Sequence, residues 1–271
     1  EEGGLARAQA LVGAAERHTP TAVEVYMVKA KVLARAGDAC GAAEAFEHAR
    51  KLDLADRYLN NKATKYLLRA NRPRAATATI ALFLKGEEHG TPDQLLAGAQ
   101  CRWFEWELAR CHERRGAPAR ALKRYAAVCD HYAAHVQEAF DYNYYAFRKN
   151  TLRAYEQLLR FTETLPEHAP YQRAALRAVE IYLAEAARRA ADPHAATEAE
   201  QQREAFERAD AERERERRRR AASQTSAAAK REAEQAPEPD ADPDGARLLC
   251  VADPLAAAQC LLDTMLANAR N

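Results

Sequence analysis

Basic side chains recur in two neighbouring segments at spacings that would place them on adjacent helices. Counting from the predicted helix breaks assigns one set of residues to a common groove. That set comprises Met27 and Lys31 in one segment and Asn61, Lys65, Leu68 and Arg69 in the next, with Lys29 and Lys62 flanking them. Clustered ammonium and guanidinium groups suit a polyanion or an acidic segment of a partner protein. The alternative is that these cations are simply solvated.

Cysteine and histidine occur close together twice, in an arrangement that could hold zinc. Cys111 precedes His112, and Cys129 lies two residues before His131. Neither pair has the short Cys-x-x-Cys type of ligand spacing, so buried thiols beside surface histidines are the favoured interpretation. The six cysteines form no CxxC pair, and no secretory signal is present. We therefore expect reduced, intracellular thiols and no metal.

Motifs that support catalysis are missing from the sequence. No Gly-x-Gly occurs, which excludes dinucleotide loops, phosphate-binding loops and the glycine-rich turn by which acetyl-CoA-dependent transferases hold pyrophosphate. Gly-x-Ser-x-Gly, His-Glu-x-x-His and EF-hand patterns are absent as well. We expect no catalysis and no catalytic cofactor in this chain.

The elements that must position the cations are predicted to be paired helices of a degenerate tetratricopeptide repeat. Gly37, Asn71 and Gly116 stand at helix breaks, and the first two breaks are separated by about 34 residues, the period of this repeat. Each break precedes a small-x3-large pattern, namely Ala42/Phe46/Ala49, Ala76/Ile80/Phe83 and Ala121/Tyr125/Val128. Asp38 and Asn71 are predicted to be N-caps of the second helices.

Composition supports an all-α chain. Glycine and proline number only 10 and 11, and no sustained alternation of apolar and polar residues indicates strands. The 41 basic and 40 acidic residues nearly cancel, so sequence-specific binding of nucleic acid is not expected. No apolar run is long enough to span a membrane. The predicted fold is a right-handed superhelical solenoid of tetratricopeptide-type helix pairs, with a long charged helix near the C-terminus.

Two of the predicted helices are rich in aromatic residues. A single helix over residues 94–115 holds Trp103, Phe104 and Trp106, which serve either as core or as a peptide-binding platform. A helix over residues 141–162 keeps an apolar face that includes Tyr144 and Phe147.

Composition changes divide the chain into four segments. Residues 1–192 are the repeats, 193–236 an Arg/Glu-rich helix, 237–252 a flexible Pro/Asp linker, and 253–271 a short, truncated amphipathic helix. The basic run 213–220 suits nuclear import or RNA contact, but interleaved glutamates favour a solvated helix. Because the chain opens inside what reads as a second helix, it is expected to be part of a longer solenoid.

Six blocks of sequence carry a family resemblance beyond the generic repeat. They are VKAKV at 28–32, LDLADRYLNNKATKY at 52–66, QCRWF at 100–104, FDYNY at 140–144, RKNTLRAY at 148–155 and AVEIYL at 178–183. In this order the chain closely resembles the auxiliary subunit of the NatA amino-terminal acetyltransferase. The likeness runs over residues 5–183 and resumes at DPDG, residues 242–245, and DPL, residues 253–255.

The resemblance implies a non-catalytic scaffold that wraps around a small acetyl-CoA-dependent catalytic subunit. It implies that the pair works at the ribosome on nascent chains, in the cytoplasm and in part in the nucleus. It also implies a regulatory partner of the huntingtin-interacting type and inositol hexakisphosphate as a structural ligand. The residues that would bind this anion are Lys29, Lys31, Lys62, Lys65 and Arg69. The alternative function is a free-standing tetratricopeptide adaptor for acidic peptides.

Overall fold

The computed structural model describes residues 2–84, 91–223 and 240–267, and every regular element in these ranges is a helix. The chain divides into two compact units, Glu1–Gly116 and Ala117–Asn271. None of the helices described is long and apolar enough to cross a membrane. The prediction of an all-α chain is confirmed over these residues.

The first unit consists of helices joined by short connections, so that consecutive helices fold back on one another. Its helices are α1 (Glu2–His18), α2 (Val23–Arg35), α3 (Ala39–Leu52), α4 (Arg57–Arg69), α5 (Pro73–Ala81), α6 (Pro92–Gly98) and α7 (Arg102–Arg114). Each of the helices from α1 to α5 contacts the next, and α7 contacts α4. The contact between α4 and α7 brings together residues about 40 positions apart in sequence.

The small-x3-large patterns form the core as predicted, except that Phe83 lies beyond the end of α5 and is only partly buried. Ala42, Phe46 and Ala49 of α3 are fully buried, and Ala76 and Ile80 of α5 lie in the same way between neighbouring helices. An alanine at the first place lets two helix backbones approach, and the larger residue fills the space beside it.

The two helix breaks in this unit use different chemistry. The Asp38 side chain accepts a hydrogen bond from the Gly41 amide at 2.8 Å, which confirms it as the N-cap of α3. Asn71 is not an N-cap, because that position of α5 belongs to Arg72. Asn71 has φ 59° and ends α4 in the left-handed conformation, which asparagine tolerates better than most residues. Its side-chain oxygen accepts from Arg114 Nε at 2.9 Å.

The two aromatic-rich helices are each broken once, contrary to prediction. α6 and α7 replace the single helix expected over 94–115, and Gln100 between them has φ 49°. The helix expected over 141–162 is likewise interrupted near Asn150, which has φ 57°. In both places a non-glycine residue takes the left-handed conformation between the two helices, a conformation that few such residues adopt.

The second unit is built on two long helices. It contains α8 (Pro118–Asp141), α9 (Asn143–Arg148), α10 (Leu152–Glu163), a 3₁₀ turn (Leu165–Glu167), α11 (Ala169–Ala191), α12 (Pro193–Ser223), α13 (Ala246–Leu249) and α14 (Pro254–Leu266). α11 packs between α8 and α14, so the amphipathic helix predicted near residue 253 docks on this unit. Tyr125 and Val128 of α8 are buried as the repeat pattern predicts.

The structure describes the first part of the charged helix and most of the predicted linker. The Arg/Glu-rich helix extends as α12 to Ser223, and its predicted remainder to 236 lies outside the described residues. Residues 240–252, expected to form a flexible linker, instead contact α8, α11 and α12. We refer to residues 240–252 as the strap.

Candidate binding surfaces

Three of the predicted anion-binding residues share one face of α4. Lys62, Lys65 and Arg69 stand three and four residues apart, a spacing that aligns side chains along a helix. Lys62 Nζ lies 5.2 Å from the centre of the Tyr58 ring. The Arg69 guanidinium lies 5.4 Å from the centre of the Tyr66 ring. The aromatic rings help to hold both cations in place through cation–π attraction.

A carboxylate from α7 joins two of these cations. Glu107 Oε1 lies 3.0 Å from Lys65 Nζ and 3.2 Å from Arg69 Nη2. The Glu107 side chain is buried, whereas the two cations remain partly open to solvent. The α4 cations are therefore held together by an interhelical ion pair that the sequence analysis did not predict.

The two predicted cations on α2 are placed differently. Lys29 forms a salt bridge with Glu16 of α1, at 2.7 Å to Oε2. Lys31 is exposed, and residues two apart on a helix do not share a face. The structure thus groups Lys62, Lys65 and Arg69, directs Lys29 toward α1, and leaves Lys31 on another side of α2. Leu68 was also predicted to line the groove, but its side chain is fully buried.

The cysteines occupy separate environments within the two units. Cys111 is buried, and burial raises the pKa of its thiol. Burial raises the pKa of Cys129 to about 12, and the neighbouring Asp130 adds to this effect. Within the described ranges no group of three or more His, Cys, Asp and Glu side chains could hold a metal ion.

The aromatic residues of α7 are mostly buried. Phe104 is fully buried, and Trp103 is partly buried against the same core. Trp106 stacks with Arg110, whose guanidinium carbon lies 5.8 Å from the ring centre. The core interpretation is correct for Phe104 and Trp103.

An aromatic run is exposed where α8 ends and α9 begins. Tyr144 and Phe147 are 72% and 67% exposed, although the sequence analysis assigned them to an apolar helix face. Phe140, Tyr142 and Tyr145 are each more than half exposed as well. α9 is only six residues long and packs against α8 and α10, which leaves these rings toward solvent. We refer to these five residues as the aromatic run.

The strap is held to the second unit by ionic and hydrogen-bonding contacts. Lys123 of α8 contacts the Asp240 carboxylate and the Asp242 carbonyl, and Arg120 pairs with Asp244 at 2.8 Å. Arg189 of α11 donates to the carbonyl oxygens of Leu249 and Val251, at 2.7 and 2.8 Å.

Comparison with known proteins identifies the family. The family model described as "N-terminal acetyltransferase A, auxiliary subunit" matches residues 2–271 of this chain. The chain belongs to the NatA auxiliary subunit family. Among its relatives, the chain is 39% identical over 168 residues to the N-terminal acetyltransferase A complex auxiliary subunit NAA15 of Arabidopsis thaliana. That match covers 61% of this chain and 18% of the plant protein.

Further relatives agree with this assignment. N-alpha-acetyltransferase 16, a NatA auxiliary subunit of Homo sapiens, is 38% identical over 172 residues, covering 64% of this chain and 20% of the human protein. A solved structure described as Naa15/Naa10 bound to HypK-THB matches with a TM-score of 0.73 and 33% identity, covering 97% of this chain and 32% of the matched chain. This chain therefore spans about a fifth of the curated relatives' length.

Membership of the NatA auxiliary subunit family confirms the predicted resemblance and the helical-repeat fold class. The family description, an auxiliary subunit, agrees with the prediction that this chain is not itself the catalyst. Sequence reasoning missed Glu107 and the exposure of the aromatic run. The run has a signal in the sequence, because five aromatic residues within eight positions exceed what one face of a helix can bury.

Proposed function

We propose that this chain is part of a non-catalytic scaffold that binds and shapes the catalytic subunit of an amino-terminal acetyltransferase. The aromatic run of the second unit carries this proposal. Five aromatic side chains exposed within eight residues form an apolar surface of a kind that marks interaction sites. Tyrosine and phenylalanine are enriched at the centres of protein interfaces, where they bury a large area at low entropic cost.

The occupant that we assign to the aromatic run is the catalytic subunit. The related solved structure, which covers nearly all of this chain, is a complex of Naa15 with Naa10. Basic residues at the end of the run, Arg148 and Lys149, would provide a polar rim around the apolar centre. A scaffold of this type contributes shape and contact area, and the reactive groups belong to its partner.

Substitution within the aromatic run tests this proposal. We expect Phe147→Asp, combined with Tyr144→Asp, to weaken binding of the cognate NatA catalytic subunit by roughly 30-fold or more, as loss of a hot spot worth about 2 kcal/mol would do. The full chain and the catalytic subunit would be co-purified, and the affinity measured by biolayer interferometry. Because both rings are exposed, the variant should keep the wild-type melting temperature.

A matched control separates the aromatic run from a general effect of acidic substitution. Leu11 of α1 is 63% exposed, and Leu11→Asp makes the same kind of change on the other unit. Its affinity for the catalytic subunit should equal that of the wild type. Equal affinity of the Tyr144/Phe147 variant and the wild type would show that the catalytic subunit binds elsewhere.

The α4 face is proposed to bind inositol hexakisphosphate. Lys62, Lys65 and Arg69 offer several N–H donors along one helix face, and phosphate groups accept such charge-assisted bonds strongly. Of the two α2 cations in the predicted set, Lys31 is exposed and Lys29 is already paired with Glu16. The residues present therefore fit a polyphosphate best around α4, where it would act as a structural ligand rather than a reactant.

The remaining parts of the functional proposal follow from the family. We infer that the assembled complex acts on nascent chains at the ribosome in the cytoplasm, with a nuclear fraction, and that it binds a huntingtin-interacting-type regulator. The solved relative, which includes HypK-THB, supports the last point. An adaptor for acidic peptides is less well supported, because the matching family model describes the auxiliary subunit of an acetyltransferase.

A further inference from the structure

Glu107 is an unusual neighbour for a surface expected to bind anions. Its side chain is 9% exposed, compared with 32% for Lys65 and 46% for Arg69. A carboxylate removed from water in this way needs cationic partners, because an unpaired buried charge is strongly unfavourable. Lys65 and Arg69 supply that charge compensation.

The contacts leave the outer donors of both cations unused by Glu107. A single carboxylate oxygen, Oε1, receives Lys65 Nζ and Arg69 Nη2. A lysine has three N–H donors and an arginine five. Glu107 is more deeply buried than the two cations, whose side chains stay partly exposed, so a ligand can approach both cations from solvent.

The same arrangement changes the charge of the surface. The sequence alone assigns two positive charges to Lys65 and Arg69, whereas the folded cluster with Glu107 carries a net charge of one. An approaching polyanion is attracted by both cations and repelled by the carboxylate behind them. Glu107 therefore lowers the affinity for anions while fixing the cations side by side.

We propose that Glu107 sets the affinity and selectivity of the α4 face for multiply phosphorylated anions. This inference rests on the proposed anion site at Lys62, Lys65 and Arg69. With one cationic charge cancelled, weak anions such as inorganic phosphate bind poorly. A ligand with several phosphates can contact all three cations at once and overcome the repulsion. Glu107 acts here as a positioning residue and an internal counter-charge.

Neutralising Glu107 without changing its shape tests the proposal. In Glu107→Gln the amide oxygen can still accept from Lys65 and Arg69, but the negative charge is lost. We expect inositol hexakisphosphate to bind roughly tenfold more tightly, the effect of one unit charge about 6 Å away at an intermediate effective dielectric. Inorganic phosphate binding should become measurable. The readout is isothermal titration calorimetry on the purified full chain at about 0.15 M ionic strength.

A control carboxylate exists in the second unit. Glu185 is also buried, with a side chain 6% exposed, and contacts Arg188 and Arg189 at 2.8 and 2.7 Å. Glu185→Gln changes the total charge by the same amount at a similarly buried two-cation site. Its affinity for inositol hexakisphosphate should equal that of the wild type. A tenfold gain in this control would mean that net charge alone, and not Glu107, governs binding.

The outcomes separate this inference from the proposed site. If Lys62→Ala with Lys65→Ala abolishes binding while Glu107→Gln leaves it unchanged or weaker, the site is correct and the role of Glu107 is refuted. If the double lysine variant binds as the wild type does, the site itself is wrong and the inference fails with it. Should Glu107→Gln not fold, Glu107→Asp serves instead. Its shorter carboxylate retreats from both cations, so a gain of roughly threefold is expected, and no gain refutes the proposal.

Discussion

The chemistry of single residues in this chain is set by burial. Cys129 illustrates this, because its pKa is raised to about 12 by loss of solvation and by the nearby Asp130. A raised thiol pKa favours the neutral form, so the reactive thiolate is scarce at physiological pH. Cys129 is therefore expected to be chemically inert.

Alkylation kinetics test this expectation for Cys129. With iodoacetamide, its modification rate should rise about tenfold per pH unit between pH 7 and 9, because this range lies far below its pKa. Rates for each cysteine would be measured by mass spectrometry of peptides. Cys40, which is exposed, should react much faster at pH 8. A rate for Cys129 that levels off near pH 8.5 would indicate an ordinary thiol pKa instead.

At the scale of elements, the strap shows how a segment with little regular structure beyond the four-residue helix α13 can be fixed. Lys123 of α8 and Arg189 of α11 bind a strap carboxylate and strap carbonyl oxygens. Toward α12 the direction is reversed, because the strap's Arg247 binds the Asp210 carboxylate. Gly245 enables the close approach. It has φ +71°, and a Cβ added there would overlap the Ala119 carbonyl of α8.

Gly245→Ala is expected to release the strap from α8. The added methyl group clashes with a helix backbone that cannot move aside, in addition to the strain of a positive φ. We expect a loss of about 2 kcal/mol or more in local stability, and faster trypsin cleavage after Arg247. Limited proteolysis followed by mass spectrometry provides the measurement.

A second glycine distinguishes the clash from backbone strain. Gly37 has φ +85°, but nothing lies within 4 Å of a Cβ placed on it. Gly37→Ala should therefore cost only about 1 kcal/mol and leave cleavage after Arg247 unchanged. Equal protection of the strap in Gly245→Ala and wild type would contradict the role assigned to Gly245.

At the scale of the whole molecule, the described residues provide surfaces rather than a reaction centre. The basic face of α4 belongs to the first unit, and the aromatic run and the strap belong to the second. Each surface is built by contacts within its own unit. Repeat architectures of this kind expose extended faces to partners, since each helix pair is buried only by its neighbours.

An acetyl-transfer assay tests the proposed division of labour between scaffold and catalyst. The full chain alone should transfer no labelled acetyl group from acetyl-CoA to peptides that begin with serine or alanine. The same chain mixed with the NatA catalytic subunit should stimulate transfer by that subunit. The Tyr144/Phe147 double aspartate variant should stimulate less. Turnover by the chain alone, retained after repeated purification, would overturn the scaffold assignment.

Local sequence patterns were enough to predict the helix pairs and most of their core. Alanines and large residues at helical spacing identify Ala42, Phe46 and Tyr125 as buried, because periodicity is a local property of the chain. The cap at Asp38 was predictable for the same reason. The breaks at Gln100 and Asn150 were not predicted, because each places a non-glycine residue in the left-handed conformation, which such residues rarely adopt.

The surfaces that these helices present to a partner depend on contacts between distant parts of the chain. Glu107 contacts Lys65, which lies 42 positions earlier in the sequence, and Arg69, which lies 38 positions earlier. Lys123 meets the strap across 117 positions. Periodicity shows which face of a helix is apolar, but it does not show what covers that face. The exposed aromatic run and the counter-charge on α4 therefore emerged only when distant segments were brought into contact.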